Sequence, residues 1–390
     1  MKRLLAIFCV IFLLVNPCFS DQENNTLGIP KDLDQKIQTA LDHLFNMKFD
    51  SALKIFDTLK DQEKGHPMIA FGITCTHWWR LSTLVLETDL NESREFLRTV
   101  KECTEISKKK MQAGDPRGEG QLVLGGTLGL LGRWQATNGQ YVNAYFTGKK
   151  AYRYLCNALE VNPNLHDANL GKGIFDYYVA TLPAIVRILA FLGQGGDRSV
   201  GLSELEDASN NSLFARTAAK LFLVEIYSNL ENKPDKALEI LDGLRNQYPF
   251  SPFIQTLSAV SYYNNGDQEK LSAEADTFLD RVDKGAYPAD FLAEAFFLKG
   301  ASLFRGARFE EARQYFTKGL ETKNSKSAFY TWSYLYRGYC LDALNQRDEA
   351  IKDYKAVLNQ LRRWESWDHA NQRLSTPFSV IDEEMKKLKL

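Results

Sequence analysis

The sequence predicts an all-α chain in which a pair of antiparallel helices recurs about eight times and stacks into an α-α superhelix, a solenoid. Three observations predict it. A triplet recurs along the chain: a small residue, a large apolar residue four positions on, and a packing residue three positions further. It reads Ala52/Phe56/Leu59, Ala151/Leu155/Ala158, Gly201/Leu205/Ala208, Ala237/Leu241/Leu244, Ala312/Phe316/Gly319 and Ala350/Tyr354/Val357. Pro163 and Pro249 each close a second helix twelve residues after its small residue, and Gly173 and Ala259 follow ten residues later as the small residues of the next first helices. Finally, only 11 prolines are spread over 390 residues, and apolar–polar alternation of strand type is scarce, which favours helices. A small residue on each helix lets two backbones approach, and the large residue beside it fills the groove.

In chain order, Lys2 and Arg3 precede an apolar run from Leu4 to Val15 and a break at Asn16-Pro17. Cys18 and Ser20 offer the small side chains that a signal peptidase reads, so residues 1–20 are expected to be a signal peptide cleaved after Ser20. Lipidation of Cys18 competes with this, although Pro17 is a poor residue for the position before a lipidated cysteine. Residues 21–32 read as a disordered linker. Helix pairs follow at about 33–61, 67–112, 116–161, 166–210, 213–248, 251–283, 288–323 and 326–363. Those within 33–248 diverge from the ordinary repeat, while those within 249–363 are close to it. The clearest copy places Gly300 on a first helix and Ala312 on a second that Phe309 begins; Gly338 and Ala350 repeat Gly300 and Ala312 38 residues on. Two pairs are degenerate: Ser93, Leu97 and Val100 hold the template places in one, and Leu271 replaces the small residue in the other. Residues 364–390, ending in the charged run from Asp382 to Lys389, read as a polar terminal cap.

The centre departs most from a regular array. Gly118, Gly120, Gly125, Gly126, Gly129 and Gly132 step by three and four and read as a smooth stripe for close helix packing. No strand precedes them and no G-K-[ST] follows, so a phosphate-cradling loop is not indicated. Between Gly173 and Gly201 lies an insertion: Pro183 should end or kink a helix, and the apolar stretch to Leu192 is shorter than the ~20 residues of a spanning helix. It is expected to plug the solenoid interior or lie across its concave face. Asp197, after Gly195-Gly196, is placed to cap the helix that Gly201 continues. A sharper alternative gathers Asp176, Tyr177, Tyr178, Asp197 and Arg198 into a polar cluster facing a ligand groove.

These residues carry a resemblance. Ala158-Leu159, Asn162-Pro163, Gly173-x-x-Asp176-Tyr177-Tyr178, Leu182-Pro183, Gly195-Gly196-Asp197-Arg198, Gly201-Leu202 and Tyr248-Pro249, with Trp78-Trp79 after His66-Pro67 upstream, resemble a bacterial family of exported tetratricopeptide proteins. The Leu182-Pro183 and Gly196-Asp197-Arg198 elements are more distantly similar to the eukaryotic tetratricopeptide repeat protein 39 family. The likeness covers roughly the first two thirds of the chain. It implies an α-α superhelix and no enzymatic chemistry, and it transfers no catalytic residue. The bacterial family tends to carry an aromatic pair near Gln140-Tyr141, where this chain has only Tyr141.

With 48 basic and 49 acidic residues the formal charge is −1, so no global field draws the chain to nucleic acid. The five histidines share no metal-ligand spacing, no nucleophile elbow appears, and no cysteine pair has C-x-x-C spacing. Cys75 and Cys103 fall on successive antiparallel helices, so a disulfide is conceivable. No catalytic, cofactor or metal site is therefore expected. The expectation is a scaffold or adaptor that grips a partner protein or peptide on its concave face. Candidate contact residues are Trp78, Trp79, Tyr262, Tyr334 and Arg337, together with the Asp176–Tyr178 and Asp197–Arg198 elements. Capture of cell-wall glycan or extended peptide is the alternative. The expected location is the periplasm, as a peripheral envelope component, with lipid anchoring through Cys18 or secretion as alternatives and no integral span once the leader is removed.

Overall fold

The computed structural model describes residues 26–83, 90–181, 196–322, 327–360, 365–379 and 388. The expected signal peptide, Cys18 and residues 182–195 of the insertion between Gly173 and Gly201 lie outside the described residues. Within them the chain forms α1 (Lys31–Phe45), α2 (Phe49–Gln62), α3 (Pro67–Thr83), α4 (Leu90–Gln112), α5 (Glu119–Thr137), α6 (Tyr141–Val161), α7 (Asp167–Thr181) and α8 (Arg198–Asn211). There follow α9 (Arg216–Asn229), α10 (Pro234–Gln247), α11 (Pro252–Asn265), α12 (Gln268–Asp283), α13 (Leu292–Arg305), α14 (Phe309–Glu321), α15 (Ala328–Ala343), α16 (Arg347–Leu358) and α17 (Glu365–Ser375). No strand occurs among the described residues. Eight antiparallel pairs and a terminal helix make the predicted all-α solenoid.

Local chemistry sets the helix ends. Ser251 accepts from the Ile254 amide ahead of Pro252, Asp267 from Lys270, and Ser327 from Phe329; each cap satisfies an otherwise orphaned N–H. Gly266 ends α11 at φ 75°, a left-handed conformation that costs glycine nothing.

The recurring triplet is the packing unit. Its members are buried in each of the six regular copies: Ala52, Ala237, Ala312 and Ala350 have no exposed surface, nor do Phe56, Leu205, Leu241, Phe316 and Tyr354. The facing first helix answers with glycine. A Cβ on Gly300 would stand 2.6 Å from the Phe316 ring, one on Gly338 2.5 Å from Tyr354, and one on Gly125 2.6 Å from Leu155. The glycine stripe of α5 packs on two sides, since Gly126 meets Phe71 of α3.

Both degenerate pairs use a variant. In α4, Phe96 rather than Leu97 is fully buried, because the Trp78 ring of α3 lies 5.6 Å from it. In α12 the order is inverted: large Leu271, small Ala275, large Phe278, all buried.

First helices touch first helices: α1 on α3, α3 on α5, α5 on α7, α7 on α9, α11 on α13 and α13 on α15. They therefore form the inner wall of the superhelix. Its first turn closes on itself. Gln38 Nε2 of α1 donates to the Leu213 carbonyl at 2.9 Å, and Ser251 Oγ donates to the Phe45 carbonyl at 2.8 Å. Phe45 also packs against Tyr248, 5.7 Å between ring centroids. Repeat one thus seals against repeats five and six.

Two terminal segments differ from expectation. The linker assigned to 21–32 is ordered from Thr26: Leu27 and Ile29 are buried, and Arg117 donates to the Leu27 carbonyl at 3.0 Å. Gly28, at φ 64°, lies flat against that guanidinium, where any side chain would collide with it. Nor is 364–390 simply a polar cap, because Phe378 and Leu388 are buried in the core of the last repeats.

Candidate interaction surface

In the first turn, self-contact fills the inner wall. Trp79 meets Phe45 of α1 and Phe253 of α11 edge-on, at 5.8 and 5.6 Å. It acts as a wedge between repeats one, two and six. Arg133 of α5 lies over the Phe222 ring of α9 at 4.8 Å and faces Glu225, which accepts from the Tyr178 hydroxyl at 2.7 Å. Trp78 is buried beside Phe96. Both tryptophans proposed as contact residues have packing partners within the chain.

The five central residues do not converge. Asp197 is a helix cap: its Oδ1 accepts from the amides of Ser199 and Val200 at 2.8 and 3.0 Å. Those bonds hold its carboxyl below the usual range. Tyr177, fully buried, donates to Glu231 Oε1 at 2.7 Å, and Arg198 Nε reaches the same oxygen at 2.7 Å. Burial, reinforced by the Glu231 carboxylate, lifts the Tyr177 phenol to about 12. This tie fixes α7 and α8 to the end of α9.

Asp176 turns away from that tie to a separate polar pocket. Lys172 donates to Glu204 Oε1 at 2.5 Å, and its ammonium lies 5.7 Å over the Tyr152 ring. Burial raises the pKa of both Asp176 and Glu204. Asp176 Oδ2 and Glu204 Oε2 are buried without a hydrogen-bond partner, and one proton held between the carboxyls would satisfy both. Lys172, Glu204, Glu225 and Glu231 were not singled out from sequence. The Lys172–Asp176 spacing of four on one helix was the one available signal.

At the C-terminal end, Arg337 grips Asp353 with Nε and Nη2 at 2.7 and 2.6 Å, under a Tyr334 ring 5.4 Å away. Asp353 is buried, and desolvation raises its pKa. Tyr334 meets Tyr330 edge-on at 5.4 Å. Tyr262 is buried beneath Lys270, with Arg245 Nη1 at 3.5 Å from its hydroxyl. Arg337 therefore joins α15 to α16, and Tyr334 keeps partial exposure.

The inner wall of the last three repeats holds the chain's own tail. Phe378 stacks on Tyr339 at 4.6 Å and 26°, and also meets Phe304 at 5.7 Å. Its amide donates to Asp342 Oδ2 at 2.8 Å. That carboxylate, 1% exposed, also accepts from Arg347 and the Tyr354 hydroxyl. The Leu388 carbonyl accepts from Arg305 Nη2 at 3.1 Å, and the Arg305 guanidinium lies 4.2 Å over Tyr263. The seat thus runs along the C-terminal ends of α11, α13 and α15.

A second concavity, a cleft of about 280 Å³, is lined by Leu27–Pro30, His66, Lys110 and Asp115–Arg117 with Glu119. His66 Nδ1 and Lys110 Nζ each lie 3.3 Å from the buried Glu119 carboxyl, and desolvation lowers the His66 pKa. Cys75 and Cys103 are free thiols. Burial lifts the Cys103 thiol to about 11, which makes it unreactive. No group of three or more potential metal ligands occurs among the described residues. No described helix is long and apolar enough to cross a membrane.

A family model, Iml2/Tetratricopeptide repeat protein 39, matches residues 99–373. The match runs from α4 to α17 and extends well beyond the motifs read from sequence. No curated protein matches the chain. Among solved structures, the chain is similar to the human IFIT1 dimer with PPP-AAAA, at 13% identity and a TM-score of 0.48, over 89% of this chain and 85% of that one. It is also similar to the P58(IPK) TPR domain, at 14% identity and a TM-score of 0.24, over 91% and 96% of the two chains.

Proposed function

The chain belongs to the Iml2/Tetratricopeptide repeat protein 39 family, and from that premise we propose that it is a non-catalytic scaffold whose inner wall binds a protein or peptide partner. One observation carries the reading: the wall of the last three repeats accepts two points of its own chain, Phe378 and Leu388. An aromatic pocket takes Phe378, and Arg305 takes a backbone carbonyl ten residues on. Apolar pockets plus hydrogen bonds to main chain are what an extended peptide requires. The partner has an exposed aromatic followed at some distance by a leucine-sized side chain, and it competes with the tail. The test is titration of a labelled synthetic peptide spanning residues 376–390 against the full chain and its Phe378→Ala variant. Tighter binding to the variant supports the reading; no binding to either sinks it.

The reading extends to an exported scaffold of the cell envelope, periplasmic once residues 1–20 are removed. Its support is Lys2-Arg3, the apolar run to Val15 and the small residues at Cys18 and Ser20. Intact mass of the chain from cells decides this. A chain starting at Asp21 supports export, a lipid adduct on Cys18 supports anchoring, and a retained Met1 overturns both.

A further inference from the structure

We propose that the start of α6 is a docking face for an anionic phospholipid bilayer. The proposal stands apart from the groove reading, since α6 is a second helix and the tail's seat is made by α11, α13 and α15. Tyr141, Val142 and Phe146 are 65%, 53% and 54% exposed. The other large exposed apolar side chains among the described residues, Val161, Val200, Leu230 and Phe250, are scattered singly along the chain, and such singles need no explanation. Three within six residues do.

The charge around them is one-sided. From Gly120 to Leu159 there is no aspartate or glutamate, where a chain with 49 acidic residues in 390 would carry about five. Four basic residues fall in the same stretch: Arg133, Lys149, Lys150 and Arg153. Arg133 is engaged with Glu225 at 3.8 Å and with the Phe222 ring. The other three share the face of Val142 and Phe146, because positions 142, 146, 149, 150 and 153 follow the i, i+4, i+7, i+8, i+11 spacing of one helix side. Lys150 and Arg153 are exposed, and Lys149 partly so. The opposite side of α6 is buried through Tyr145, Ala151, Leu155 and Ala158. Residues 137–143 are all exposed, so none of the described residues covers the tip.

An apolar tip with a basic collar one to two turns behind it fits an anionic interface. The tip enters the headgroup region while the long basic stems reach back to phosphate. Three apolar side chains are too few for a stable protein interface, which needs about 800 Å² per partner. Interfacial binding adds their burial to a diffuse electrostatic attraction that requires no matching hydrogen-bond pattern.

The test is co-sedimentation of the full chain with vesicles of phosphatidylcholine containing about one third phosphatidylglycerol, against pure phosphatidylcholine. Each basic residue near such a surface contributes about fivefold. The triple variant Lys149→Gln, Lys150→Gln, Arg153→Gln is therefore expected to bind about a hundredfold more weakly, and Phe146→Ser about tenfold. Lys352→Gln with Lys355→Gln, exposed on α16, should bind as the parent does, and circular dichroism should confirm that all variants are folded. Equal binding to neutral vesicles, or a triple variant that binds like the parent, overturns the proposal. A photocrosslinker at position 146 that captures protein rather than lipid in a membrane extract also overturns it, by assigning the face to an acidic protein.

Discussion

Glu294 offers the sharpest test of the packed inner wall. It lies on α13, accepts a hydrogen bond from the Thr256 hydroxyl of α11, and has no cation paired with it among the described residues. Burial lifts its pKa from 4.5 to about 7. Between those values the folded chain holds a proton that the unfolded chain has released. The stability it contributes is fully present below pH 4.5 and is lost as pH rises through 7. The ceiling is about 1.4 kcal/mol per pKa unit, or about 3 kcal/mol across the window; solvent at the partly exposed side chain lowers this toward about 2. Glu294→Gln keeps an acceptor for Thr256 and cannot ionise. The variant should match the parent near pH 4.5 and exceed it by about 2 kcal/mol at pH 8.

Because a repeat array opens locally, the assay is amide hydrogen exchange of α11 and α13 with melting curves at pH 5, 6, 7 and 8. The parent should lose protection in these two helices as pH rises, beyond the intrinsic exchange rate, while the variant should not. Parallel pH dependences in the two proteins would refute the assignment. So would a Glu294→Gln chain less stable than the parent at pH 8.

Gly300→Ala and Gly338→Ala should each cost about 1–3 kcal/mol, since the new methyl meets Phe316 or Tyr354. Gly243→Ala, on the exposed side of α10 with nothing within 4 Å, should gain up to about 1 kcal/mol; denaturant melts measure all three. Arg337→Ala should cost about 3–5 kcal/mol by leaving buried Asp353 unpaired, and Arg337→Lys should recover only part because it loses the two-pronged contact. Trp79→Ala should loosen the closure of repeats one and six. Hydrogen exchange should quicken in α1 and α11 while α15 and α16 stay as they were.

Helix pairs were legible because the repeat's interior is local. Gly338 and Tyr354 are close in sequence, and a 2.5 Å contact between a would-be Cβ and a ring imposes a small residue whatever else the chain does. The boundaries read for the pair 326–363 enclose α15 and α16 for the same reason. What was not legible is how far the superhelix turns. Trp79 sits beside Phe253 only because the pitch brings repeat six back to repeat two. Pitch sums small angles over every interface, and no periodicity records that sum. Asp176 and Tyr177 failed as a single cluster for a simpler reason. Neighbours on a helix point about 100° apart, so one met Lys172 and Glu204 while the other met Glu231 and Arg198. The charged run from Asp382 to Lys389 carries no signal for the docking of Phe378, whose ring stacks on Tyr339.

The seated tail has a consequence for any partner of the wall. Burying a phenylalanine and a leucine is worth about 1.5–3 kcal/mol each, and fixing their backbone and side chains returns much of that. A net hold of about 2 kcal/mol would leave the seat open about 3% of the time. A partner would then bind about thirtyfold more weakly than its contacts alone provide. The arrangement also separates the two ends of the molecule. The first turn is closed by contacts between helices, Phe45 and Trp79 on α11 and its neighbours, which only unfolding would undo. The last turn is closed by the tail, whose anchors among the described residues are one stacked ring, one amide on Asp342 and one carbonyl on Arg305. A scaffold that must admit a partner can exchange the second closure without paying for the first, so the wall beside Tyr339 and Arg305 is where exchange is cheapest.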